Sequence, residues 1–69
     1  MIQRIIELLQ EDYNEVFYLG ESETEVYSFK CDDTQVQGLP FFSETLDLEG
    51  MTFYHYNNGW RELRTVHFE

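Results

Sequence analysis

The dipeptide Asn58-Gly59 constrains this chain more than any other feature. It separates two runs, MTFYHYN and WRELRTVHF, both rich in aromatic and β-branched residues. Such side chains fit a pleated, half-buried surface. Asn-Gly between two runs of this kind signals a hairpin, because a type I′ turn needs positive φ at both central residues. A two-residue loop sets the register. Tyr56 is expected opposite Arg61, His55 opposite Glu62, Tyr54 opposite Leu63, Phe53 opposite Arg64, and Met51 opposite Val66. Side chains alternate across a strand, so the hairpin has two expected faces. One carries Met51, Phe53, His55, Glu62, Arg64, Val66 and Phe68. The other carries Thr52, Tyr54, Tyr56, Arg61, Leu63, Thr65 and His67.

Something must cover the more apolar of those faces, and the N-terminus supplies it. Ile2, Ile5, Ile6, Leu9 and Tyr13 recur at spacings of three and four. That spacing predicts an amphipathic helix over residues 2–13. A helix this short is marginal alone in water and must dock. Ile5, Ile6 and Leu9 are the expected contacts, seated over Met51, Phe53, Val66 and Phe68.

Between helix and hairpin the pattern has period two. VFYLG at residues 16–20 and TEVYSFKC at residues 24–31 read as strands, and the second puts Tyr27, Phe29 and Cys31 on one face. Residues 32–40 read as a connection, because Gly38 and Pro40 disfavour regular structure. SETLDLEG at residues 43–50 reads as a weak strand, with a short helix as the competing reading. The expected fold is therefore α+β: one N-terminal helix on an antiparallel meander of four to five strands, in a single domain over residues 1–69. A small β-barrel with an N-terminal helix is the alternative.

Sixty-nine residues allow one modest core. With one cysteine, Cys31, no internal disulfide can help it. Aromatic packing can, at 17% of the chain. The formal charge is −10 and lies at one end. Residues 1–49 hold twelve acids against Arg4 and Lys30, which accounts for all of it, while residues 50–69 are neutral. Phosphate contacts need clustered Lys and Arg, so direct nucleic-acid binding and anionic membranes are not expected. The N-terminus has no uninterrupted apolar core and no run is long enough to span a bilayer. A cytoplasmic location is expected.

Chemistry finds little support. His55 opposite Glu62 would be the start of a general-base pair, but no nucleophile lies at a fixed spacing from it. HxH, HExxH and CxxC are missing and the four glycines are isolated. No catalytic, cofactor or metal residues are assigned. The expected function is a non-enzymatic protein-interaction module. It would dock through Tyr54, Tyr56, Trp60, Arg61 and Leu63 on a partner protein, basic by electrostatics, or on a second copy. The alternative is an acidic inhibitor that imitates nucleic acid. For that reading Glu21, Glu23 and Glu25 would share one face of an extended strand as a small acidic ridge. Solubility alone is the plainest account of the acids.

Overall fold

The computed structural model describes residues 2–68. Among them the elements are one helix, α1 (Ile2–Leu9), and five strands: β1 (Val16–Glu21), β2 (Tyr27–Cys31), β3 (Thr34–Ser43), β4 (Leu48–Tyr56) and β5 (Trp60–Phe68). The strands form one antiparallel sheet in sequential order. The expected α+β meander is present with five strands. Strands β1 and β5 do not pair, so the sheet is open rather than a barrel.

The helix spacing works as read: Ile5 and Leu9 are fully buried, and Ile2, Ile6 and Tyr13 pack beside them. The helix stops at Leu9 rather than running to Tyr13. Its last turn tightens, with Glu11 N donating to Leu8 O and Asp12 N to Leu9 O. A distant residue holds that end. Arg64 on β5 donates to the Leu8 carbonyl, and its Nη1 pairs with Glu11 at 3.0 Å. Its Nε lies 3.7 Å from Asp12. A cation on the last carbonyls of a helix adds a strong donor there and interacts favourably with the helix dipole.

Asp32 fixes the next joint. Its carboxylate accepts the backbone N–H groups of Asn14 at 3.1 Å and Glu15 at 2.9 Å. The link between α1 and β1 is thereby tied to the turn between β2 and β3.

The segment read as a connection is instead the middle strand of the sheet. Gly38 and Pro40 both sit within β3 for specific reasons. A Cβ on Gly38 would stand 2.5 Å from Met51 Cε and 3.0 Å from Phe53 Cε1, so the bare backbone makes room for two core side chains. Pro40 lacks an N–H, which a central strand needs on both sides. Here β2 ends at the Tyr27–Gly38 pair, so β3 is an edge from Leu39 onward and needs a neighbour only on the β4 side. The weak strand read at residues 43–50 divides likewise: residues 44–47 turn, and β4 begins at Leu48.

The hairpin register holds far from the loop and slips near it. Met51–Val66, Thr52–Thr65 and Phe53–Arg64 pair as expected. Beyond them Tyr54 pairs with Glu62, His55 with Arg61 and Tyr56 with Trp60. The loop takes three residues, Asn57 to Gly59, with positive φ at Asn58 (59°) and Gly59 (120°). Leu63 is the extra residue on β5, a bulge that absorbs the difference.

Among the described residues the buried hydrophobic ones are all on α1 or the sheet face beneath it: Ile5, Leu9, Phe29, Cys31, Val36, Met51 and Phe53. Cys31 lies with Phe29 in this core, as its alternation indicated.

Candidate functional site

The side of the sheet away from α1 has no helix on it among the described residues. Its composition follows from register. Glu62, Tyr54, Gln37, Ser28 and Gly20 line up across all five strands. Thr65, Thr52 and Leu39 form a second row, with the two threonine hydroxyls 3.1 Å apart. His67 and Phe41 meet edge to face, ring centroids 5.2 Å apart, above Gly50. At the loop end Tyr56 and Trp60 are cross-strand partners, with centroids 5.3 Å apart and planes at 68°. Tyr56 is 54% exposed and Trp60 44%.

The five residues expected to form one docking surface divide between two sides. Tyr54, Tyr56 and Trp60 share the open face. Arg61 pairs with His55 and so turns to the helix side, and Leu63, at the bulge, packs against the core. Both shifts come from the one extra loop residue, since a slip of one position exchanges faces. Arg64, on the face with Met51 and Phe53, reaches back to hold α1.

The acidic ridge is also rearranged. Glu21 ends β1, while Glu23 and Glu25 lie in the turn before β2, with Glu25 at φ 61°. Ser22 organises that turn. Its Oγ accepts the N–H groups of Thr24 and Val26 at 3.3 and 3.2 Å. The three carboxylates therefore sit around a tight turn, not along one extended face. Their field still reaches the sheet. Glu21 first, then burial, then Tyr18 and Glu25 raise the Tyr27 phenol above its ordinary value of 10.0.

Glu62 faces Tyr54 rather than His55, so the cross-strand His–Glu pair does not form. His55 instead shares a shallow recess with Tyr13, Cys31, Asp33 and Thr34. A thiol near an imidazole invites comparison with a nucleophile–base pair. Burial, and then Asp32, push the Cys31 thiol up to about 11, which keeps it protonated at neutral pH. The thiolate is the nucleophile, and this environment opposes it. Among the described residues no three His, Cys, Asp or Glu side chains are grouped to hold a metal ion, and no helix is long and apolar enough to cross a membrane.

Charge is distributed as unevenly in space as in sequence. The rows of the open face hold one acid, Glu62, and one base, Lys30. The other described acids lie on α1, in the loops or on the helix side. Comparison of the chain with protein-family models, curated proteins and solved structures yields no match to any of the three.

Proposed function

We propose that this chain is a non-enzymatic protein-interaction module that docks through the loop end of its open sheet face. The observation that carries the reading is the Tyr56–Trp60 pair. Two large rings meet across the strands, each about half exposed, on the face without a helix. Tyr and Trp are the residues most often found as binding anchors, because they bury much area for little entropy. Tyr54 and Gln37 extend the surface toward the sheet centre. The near-neutral face is ringed by an acidic body, so a partner with an apolar centre and basic margins is favoured over an acidic one.

The test is capture of binding partners by the native chain and by a Tyr56→Ala, Trp60→Ala double variant, with circular dichroism to verify the fold. Partners retained by the parent and lost by the folded variant support the reading. Partners retained equally by both refute it. The nucleic-acid-mimic alternative predicts a third pattern: binding insensitive to the two aromatics and abolished by moderate salt.

A further inference from the structure

The helix is too short for the sheet it covers. Eight residues span roughly 12 Å at 1.5 Å each, whereas the ten residues of β3 span roughly 33 Å. The position of α1 along the strands is set at both ends. Arg64 holds its Leu8 end, and Arg4 lies 6.0 Å from the centroid of the Phe68 ring near its start. Beyond Phe68 the covered face continues as an apolar groove floored by Tyr27, Phe42, Met51 and Phe68, with Glu25 and Glu49 at its margins. Phe42 is 55% exposed there, and Leu46, in the nearby turn between β3 and β4, is 63% exposed.

We infer that this groove takes a short basic amphipathic helix from a partner protein, seated on the part of the sheet that α1 leaves uncovered. Three observations select that occupant. No Lys or Arg lines the groove, while Glu25 and Glu49 do. Glu21, paired with Tyr27 across β1 and β2, adds a third carboxylate beside it and raises the Tyr27 phenol. Cations on the polar side of an incoming helix would meet those acids while its apolar side met the rings. A second copy of this chain fits poorly. Its own amphipathic helix offers Arg4 against Glu7, with Glu11 and Asp12 just beyond, and each molecule carries −10. A strand added to the free edge of β3 fits poorly too, because Pro40 lacks the N–H such pairing needs.

The experiment uses a labelled synthetic peptide of roughly twelve residues, built from leucine and lysine with leucines at helical spacing. Two controls keep the length: one alternates leucine and lysine, and one replaces lysine with glutamate. Fluorescence anisotropy gives affinity and amide NMR shifts locate the contact. The helical leucine–lysine peptide should bind, with shifts concentrated at Tyr27, Phe42, Glu49 and Phe68. Phe42→Ser, or Glu25→Lys with Glu49→Lys, should weaken it at least about ten-fold. Tyr56→Ala with Trp60→Ala should leave it within about two-fold, which separates this groove from the open-face site. Absence of binding, equal binding of the alternating peptide, or shifts located elsewhere would overturn the inference. Groove resonances that move with protein concentration alone would also overturn it, in favour of self-association.

Discussion

The two faces of the sheet are built from the same strands by alternate residues, yet they have opposite characters. On β4, Met51 and Phe53 are buried under α1, while Thr52 between them and Tyr54 just after them are partly open to solvent. The helix side concentrates the apolar area and also recruits one cation, Arg64, to a structural task. The open side is a mixture of hydroxyls, amides and aromatic rings with almost no net charge. In so small a domain one helix serves one face, so buried core and exposed surface alternate between neighbours in sequence. Adjacent residues should therefore respond very differently to the same change.

The largest contrast is expected at Phe53 and Tyr54. Phe53→Ala removes a fully buried ring and should cost about 3–5 kcal/mol. A domain of this size has a total stability of roughly 3–10 kcal/mol, so the variant should be largely unfolded or close to it. Tyr54→Ala, on the open face, should cost about 1 kcal/mol or less. Urea midpoints measure both. Equal losses would mean that the open face is not merely a surface of the monomer.

A smaller effect is expected at Arg64, the cation of the covered face that holds α1. Arg64→Leu removes the guanidinium donor from the Leu8 carbonyl, which keeps only the long Glu11 N–H contact, and should cost about 1–3 kcal/mol. Amide exchange should accelerate in α1 more than in β4 and β5. Glu11→Gln should cost under about 1 kcal/mol, because that carboxylate is well exposed. If Glu11→Gln matches Arg64→Leu, the ion pair outweighs the carbonyl contact.

An effect absent at neutral pH is a pH dependence of the covered face. The Cys31 thiol is raised from 9.0 to about 11 by burial and then Asp32. Between those values the unfolded chain has released its proton while the folded chain retains it. Stability from this group is thus complete below pH 9 and declines as pH rises toward 11. Tyr13, raised above 10.0 by burial and then by Cys31, adds a decline of the same sign at higher pH. Urea midpoints from pH 8 to 11 should fall less steeply for Cys31→Ala than for the parent. Parallel curves would remove Cys31 as the cause.

Much of this was legible in local patterns. Spacings of three and four along Ile2, Ile5, Ile6 and Leu9 sufficed for α1, because a helix repeats within a few residues. Alternation put Phe29 and Cys31 on one face, which is the core face, and Asn58-Gly59 placed the final hairpin. The grouping of the five residues expected to share one face was legible in part. Tyr54, Tyr56 and Trp60 came together, but Arg61 and Leu63 were displaced by a third loop residue and the bulge that balances it. Loop length is decided by a small energy difference between turn geometries, and a slip of one residue then exchanges the faces.

What the sequence determined by itself was therefore periodic: element types, the stripe of α1, the parity of the strands and the segregation of acid from aromatic. What only the tertiary structure decided was where those elements stop and which side chains meet. Gly38 and Pro40 look like breakers until β2 is seen to end at Tyr27 and two core side chains are seen to need the space. The end of α1 depends on Arg64, more than fifty residues away along the chain. The groove beyond Phe68 lies on the part of the covered face that the eight-residue helix leaves bare. Each is a relation between segments distant in sequence, and local propensity carries no record of distances that only packing creates.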